Sequence, residues 1–240
     1  AMSAVSLGQL PVRRGPNHPC PYLPDRTATN EYTFVPALSP QDYQTLMDRG
    51  FRRSGEFVYR PVCDGCGECV PIRIPVASFL PSRSQQRVAK RNSDVQVSVG
   101  SPVPTDAKHD LFVRYLRCQH DGSMSERRED FEDFLYRSPT TTLEMTYTLD
   151  GRVVAVGIVD VCPSALSSVY FYFDPDESRR SLGIYGGLCE IEECRRRGIT
   201  YWYLGYFVRD CPRMNYKASF RPYELLDRRR GWIAGLPDAR

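Results

Sequence analysis

Histidine is scarce in this chain: three residues in 240, at His18, His109 and His120, none of them inside a recognisable motif. A Ser–His–Asp or Cys–His nucleophile arrangement therefore has little to draw on, and a triad hydrolase is excluded as the first reading. Also missing is any run of eighteen apolar residues, so no membrane span is expected. The opening stretch AMSAVSLGQLPVRRGPN has no charged start followed by an apolar core, so a secretory signal is not expected and a cytoplasmic location is. No internal repeat is visible. A large charge excess is absent too: net charge +3 is only mildly basic, whereas a protein that coats nucleic acid nonspecifically is more strongly so. With 41% hydrophobic and 25% charged residues, what remains is an ordinary globular chain, long enough for one large domain or two small ones.

What the chain does have is cysteine, nine in all, scattered and odd in number. Without a secretory signal, free thiols in a reducing compartment are the expected state. Three of them fall at three-residue spacing in Val62-Cys-Asp-Gly-Cys-Gly-Glu-Cys-Val-Pro-Ile-Arg73. Thiolates so spaced can reach one ion, and Gly65 and Gly67 allow the tight loop this needs. No Cys or His follows within thirty residues, and Arg73 stands where an iron–sulfur run would want a cysteine. Arginines cluster at 52–53, 83–91, 179–180, 195–197 and 228–230, which suits a limited phosphate-bearing partner such as a tRNA end; the last two runs read first as solvated helix faces.

The first hundred residues hold short elements. EYTFVP and GEFVYRPV read as strands. SPQDYQTLMDRGF reads as a helix capped by Ser39, with Pro40 at its first position and Gly50 past its end. SRSQQRVAKRNSD is a basic helix, VQVSVG a strand, and GSPVPT the expected boundary between an N-terminal Cys/Pro/Arg-rich subdomain over 1–102 and a second domain over 103–240. The second part runs DAKHDLFVRYLRCQH (helix), RREDFEDFLYRS (helix, with Ser123 and Glu126 at capping-box spacing before it), then strands TLEMTYTL and RVVAVGIVDV joined by the hairpin pair Asp150-Gly151. LSSVYFYF is a further strand, followed by a loop and a long helix ending at Gly198, the strand ITYWYLGY, the short helix RMNYKAS and a tail YELLDRRRGWI. This order predicts an α+β fold with helices packed on a mixed, largely antiparallel sheet.

In SVYFYFDPDESRRSLGIYGG a buried strand ends at Asp174 and a loop opens a helix, the usual setting for an anion site. Arg180-Ser-Leu-Gly183-Ile-Tyr185 resembles the Arg/Gln-x-x-Gly-x-Gly/Ala loop of the GNAT acyltransferase fold, except that Tyr185 replaces the last Gly or Ala, which counts against a tightly held coenzyme A pyrophosphate. A closer resemblance covers nearly the whole chain. CPYLPDRTATNEY, YRPVCDGCGECVPIR, SRSQQRVAKRN, SSVYFYFDP, SLGIY and GYFVRDCPRMNYKASFRPYELL are similar, in order, to the aminoacyl-tRNA–protein transferases. Their short bacterial branch is the aspartate/glutamate leucyltransferases; arginyl-tRNA–protein transferases are longer eukaryotic relatives. The resemblance implies a GNAT-like domain that moves an aminoacyl group, leucyl in the bacterial branch, from tRNA to an N-terminal Asp or Glu. The product would be handed to degradation machinery. In the eukaryotic relatives an N-terminal Cys-x-x-Cys and later cysteines form a metal or cluster site; here Cys20 matches the first and Leu23 replaces the second. Cys20, Cys63, Cys66 and Cys69 are then the thiolates available to a structural zinc or iron–sulfur cluster, with free thiols packed as small hydrophobes the preferred alternative. The transfer itself needs no cofactor.

An aminoacyl ester is already activated, so the protein must place both ends, deprotonate the amine and steady an oxyanion. Asp174 is the expected group to orient or deprotonate the amine, its alternative role being to cap the next turn. Tyr216 is the expected proton donor to the tRNA hydroxyl, and Lys217 a contact to phosphate or ribose. Arg179, Arg180, Ser181 and Gly183 are assigned to the phosphates of the acceptor end. An acidic N-terminus calls for arginine; within the matching motifs these are Arg26, Arg60, Arg73, Arg87 and Arg91, with Arg73 and Arg87 favoured. Two other functions compete: a coenzyme A-dependent N-acetyltransferase on the same fold, and a non-enzymatic zinc- and RNA-binding module.

Overall fold

The computed structural model describes residues 11–119, 122 and 124–235. Short strands β1 (Arg13–Arg14), β2 (His18–Pro19), β3 (Thr27–Ala28) and β4 (Asn30–Phe34) come first, then helix α1 (Pro40–Met47), β5 (Arg52–Ser54), β6 (Phe57–Pro61) and β7 (Val70–Pro75). Helix α2 (Arg83–Arg91) and β8 (Gln96–Gly100) lead into α3 (Asp106–Gln119) and α4 (Arg128–Leu135). Strands β9 (Thr142–Leu149), β10 (Arg152–Val161) and β11 (Ala165–Phe173) follow, then α5 (Leu182–Arg197), β12 (Tyr201–Phe207), α6 (Pro212–Asn215), β13 (Glu224–Asp227) and β14 (Gly231–Ala234).

The local reasons are those the sequence advertises. Ser39 Oγ accepts the Asp42 N–H at 3.0 Å to start α1, and Gly50, at φ +88°, turns the chain out after it. Ser82 and Gln85 form a reciprocal capping box at the head of α2. Asp150 and Gly151 both take positive φ, as a two-residue hairpin turn requires. The expected Ser123 cap lies outside the described residues, and α4 begins at Arg128 with no side-chain cap at Arg127; Glu126 instead pairs with Arg117 at 2.6 Å.

The main sheet has eight strands in the order β14-β13-β7-β12-β11-β10-β9-β8, all neighbours antiparallel except β11 and β12. Helix α5 covers one face, with Leu182, Ile191 and Cys194 packed on Ala155, Val159 and Leu166. Helices α3 and α4 cover the other, with Leu111, Phe112, Phe131 and Leu135 on Val156, Ile158 and Tyr172. The fold is thus α+β, with helices packed on a mixed, largely antiparallel sheet, as expected. A second sheet, β1-β4-β6-β5, packs with α1 against Cys162, Ala165 and Tyr203.

Two elements were not foreseen. The tail YELLDRRRGWI folds as the β13–β14 hairpin. The stretch after the cysteines becomes β7, inserted between β12 and β13, so the eight-stranded sheet draws two strands, β7 and β8, from before residue 102. Pro71 and Pro75 argue against a central strand. They fit because the ladder to β13 pairs only Ile72 and Arg73, stopping one residue short of Pro71.

Candidate active site

Strands β11 and β12 pair in parallel over only three residues each, Ala165–Ser167 against Tyr201–Tyr203, and then part. Each strand is bulged just past that point. Val169 is the extra residue of β11, since Ile158 faces Tyr170 and Val159 faces Ser168. Leu204 and Gly205 together oppose Ile72 on β7. Bulges bend strands and re-aim side chains, and here they open a wedge in the sheet.

Helix α5 comes close behind this wedge because it carries glycines there: a Cβ on Gly186 would sit 2.3 Å from the Phe171 ring, and one on Gly187 2.7 Å from Trp202 and Phe220. That approach delivers Glu190, 1% exposed, to the root of the wedge. Its carboxylate accepts the Trp202 indole N–H at 2.7 Å and the Ser168 hydroxyl at 3.3 Å, and among the described residues no cation pairs with it. Burial pushes its pKa up to about 7, against the pull of those two hydrogen bonds. Sequence reasoning missed Glu190. The available signal was its phase: four residues after Gly186 and four before Cys194, on the buried face.

Across the wedge from β11, the short helical segment after β12 supplies Tyr216 and Lys217. Tyr216 is 42% exposed. Desolvation of its hydroxyl, then the fields of Tyr115 and Glu190, push its pKa up to about 12, so it stays a protonated donor at neutral pH. Lys217 Nζ donates to the Tyr206 carbonyl at 2.7 Å and sits 3.6 Å from Met214 Sδ. Burial and then the neighbouring Arg52 guanidinium lower its pKa to about 7.

Asp174 lies at the end of β11, fully buried. It accepts the Asp176 N–H at 3.1 Å, pairs with Arg114 at 2.5 Å and also with Arg152. Its oxygens are thus occupied by a turn and two arginines, and it holds a loop in place. Arg180 is engaged in the same loop, with Asp94 at 2.8 Å and Glu177 at 3.0 Å, while the Arg91 guanidinium donates to the Arg179 carbonyl. The Arg179 side chain is exposed. Ser181, at φ +54°, precedes the first turn of α5, which contains Gly183. Tyr185 packs its ring on Tyr147 at 6.0 Å, within the core.

The arginines expected to read an acidic N-terminus are dispersed. Arg73 is boxed over Tyr201 at 3.7 Å and Trp232 at 4.3 Å and pairs with Glu224 at 2.6 Å. Arg60 pairs with Glu31 and lies over Phe51 at 4.6 Å. Arg87 and Arg91 are exposed on α2. Arg26 is exposed and donates to Cys66 Sγ at 3.5 Å. Cys20, Cys63, Cys66 and Cys69 line one apolar pocket together with Arg26 and Tyr206. Backbone N–H groups of Leu23 and Thr29 donate to Cys20 and Cys63, both at 3.4 Å. Burial, then the other three sulfurs, push the Cys69 thiol up to about 12. Soft metals take such donors, yet among the described residues no three His, Cys, Asp or Glu side chains are grouped to hold one ion.

Comparison with known proteins agrees along the chain. Residues 18–87 match the family described as arginine-tRNA-protein transferase, N terminus, and residues 107–227 its C terminus. The aspartate/glutamate leucyltransferase of Pseudomonas fluorescens strain Pf-5 is 44% identical over 234 residues, covering 95% of this chain and 98% of that protein. That of Pseudomonas syringae pv. tomato is 45% identical over the same extent. Among solved structures, FemX superposes with a TM-score of 0.49 at 10% identity, covering 85% of this chain and 81% of that one.

Proposed function

This chain belongs to the arginine-tRNA-protein transferase family, and on that premise we propose that it transfers a leucyl group from leucyl-tRNA to the α-amine of proteins that begin with Asp or Glu. The observation that carries the choice of leucine is the 44–45% identity, over nearly the full length, to aspartate/glutamate leucyltransferases. The wedge between β11 and β12 supplies what the reaction needs.

The α-amine attacks the ester carbonyl; a C–N bond forms, the C–O bond to the terminal ribose breaks, and one proton must leave the nitrogen while the ribose oxygen gains one. In this reading Ser168 passes the amine proton to Glu190, supported by its half-buried position on the bulged strand and its hydrogen bond to that carboxylate. A carboxyl poised at about 7 suits a base working near neutral pH. Tyr216, still protonated, gives its proton to the departing ribose oxygen. Asp174 acts by fixing the loop that presents Arg179, and with it Ser181 and Gly183, to the phosphates of the acceptor end; Arg180 buttresses that loop. No step runs through a metal or a redox group, because the ester is already activated. The new N-terminal leucine would mark the product for degradation machinery.

The test uses purified protein and peptides beginning with Asp, Glu or Lys, with leucyl-, arginyl- or phenylalanyl-tRNA supplied separately. Mass spectrometry should show leucine on the Asp and Glu peptides alone. Arginine there instead would keep the family and overturn the donor.

A further inference from the structure

Two basic side chains meet at Gly205 with no carboxylate between them among the described residues. Arg52, 5% exposed, comes from β5; its neighbour Arg53 points to the other face and is fully used by Asp160, at 2.5 Å. Arg52 donates to the carbonyls of Phe51 at 2.8 Å and Gly205 at 3.3 Å, but its Nε is buried and bonded to nothing. Among the described residues neither Arg52 nor Lys217 is paired with a carboxylate. Both converge on Gly205: the point where a Cβ would stand is 3.8 Å from Lys217 Nζ and 4.0 Å from Arg52 Nε. With φ at +73° and no side chain, Gly205 leaves a notch there. Its rim is half-exposed at Gly205 and at Lys217, and the Tyr203 and Tyr206 rings flank the guanidinium at 5.6 and 5.7 Å. A buried, unbonded guanidinium N–H beside an unneutralised ammonium is costly unless an anion joins them.

We propose that Arg52 and Lys217, over Gly205, form the subsite that receives the side-chain carboxylate of the acceptor's N-terminal Asp or Glu. The inference rests on the acceptor reading above and supplies its specificity. The notch lies on the segment of β12 that has parted from β11, and its Lys217 is the residue after Tyr216, so a carboxylate held here keeps its own α-amine inside the wedge. Its size also selects. A carboxylate ends a chain and can enter a space one methyl group deep, whereas a phosphodiester carries a ribose on either side and is matched by exposed cations such as Arg179. The lowered pKa of Lys217 comes from burial first and Arg52 second, and a carboxylate held between the two cations would offset both. Arg52 and Lys217 act here as binding residues for the acceptor; they do not transfer the proton.

The experiment compares kcat/KM for peptides starting with Asp and Asn, and with Glu and Gln, in the full chain and in Arg52→Gln, Lys217→Met and Lys217→Arg. Wild type should favour the acids. Arg52→Gln and Lys217→Met should each cut the Asp/Asn ratio by about 30-fold or more, mainly through the peptide KM, and leave the KM for leucyl-tRNA unmoved. Lys217→Arg should restore much of the ratio. Lys217 is half-buried, so its variants decide the matter even if Arg52→Gln fails to fold. An unchanged ratio in a variant that still transfers would overturn the subsite. So would a raised tRNA KM with the ratio intact, which would make the notch a phosphate site. Wild-type protein that leucylates no peptide would sink the acceptor reading itself, and that result appears before any variant is made.

Discussion

Two neighbouring places in this molecule are rich in charge and use it in opposite ways. In the loop after β11 every buried or half-buried charge has an opposite: Asp174 has Arg114 and Arg152, and Arg180 has Asp94 and Glu177. In the wedge, among the described residues, Glu190 has hydrogen bonds but no cation, while Arg52 and Lys217 have no carboxylate. Matched charges close on themselves and hold a conformation; unmatched ones remain available to whatever enters. The arginine-rich loop drew attention in the sequence, yet the groups left available for chemistry lie in the wedge.

The sharpest way to break this contrast is Glu190→Gln. Single-turnover leucyl transfer should fall by about 10²- to 10⁴-fold, the usual range for a lost general base. Since the base works when deprotonated, the wild-type rate should rise as pH rises through about 7, and the variant should lose that limb. A variant with the wild-type rate and limb would remove Glu190 from the reaction.

The buried pair Arg53–Asp160, with both side chains fully enclosed, represents the matched kind at its most extreme. Asp160→Ala strands a buried guanidinium and should cost about 3–5 kcal/mol, read from denaturant unfolding. A loss under about 1 kcal/mol would mean that water reaches the arginine.

Glu190 also leaves a mark on stability. A carboxyl whose folded pKa lies above its ordinary value of 4.5 holds its proton more tightly when folded. Wild type should therefore lose stability as pH rises from about 4.5 to about 7, by about 3 kcal/mol in all. Glu190→Gln removes that loss, so it should be the more stable protein at pH 8 while being the slower enzyme. Parallel melting curves across pH 4 to 8 would refute this by staying a fixed distance apart.

Asp174→Ala should do less. Its carboxylate is buried, but Arg114 and Arg152 are 44% and 52% exposed and can turn to water, so about 2 kcal/mol is expected from thermal melts. Below its melting temperature this variant should keep the Asp/Asn preference. Loss of that preference with the fold intact would tie the loop to acceptor recognition and blur the contrast.

Much of this architecture can be read from local chemistry. The Ser39 cap, the Asp150–Gly151 turn, the alternating strand ending at Phe173 and the helix ending at Gly198 all follow from neighbours a few residues apart. What escapes reading is set at long range. Val70–Pro75 carries two prolines and becomes a central strand only because β12 and β13 come to it. The arginine run 228–230 hides a hairpin turn. For the proposed site, Tyr216 and Lys217 stand out in GYFVRDCPRMNYKASF, which joins a strand to a short helical segment. Glu190 is one glutamate among three in Glu190-Ile-Glu192-Glu193; burial separates it from Glu192, and the Arg196 and Arg197 ion pairs of Glu193 separate it from its other neighbour. Arg52 and Arg53 are adjacent and identical in type; the pleat of β5 alone decides which meets Asp160 and which meets the notch.

The placement of β7 has a consequence for how such a chain is made. A ribosome releases Val70–Pro75 well before it has made Tyr201–Phe207 or Glu224–Asp227, the two strands between which it must lie. Until then that segment waits with both edges bare, and the sheet is zipped shut only once β12 and β13 have emerged. The wedge therefore waits on its late parts: Arg52 and β7 are made early, but Gly205 and Lys217 are not, so a nascent chain that stops before residue 205 lacks the notch. Splitting the gene near residue 102 should yield two fragments that are inert apart and regain transfer only when co-expressed.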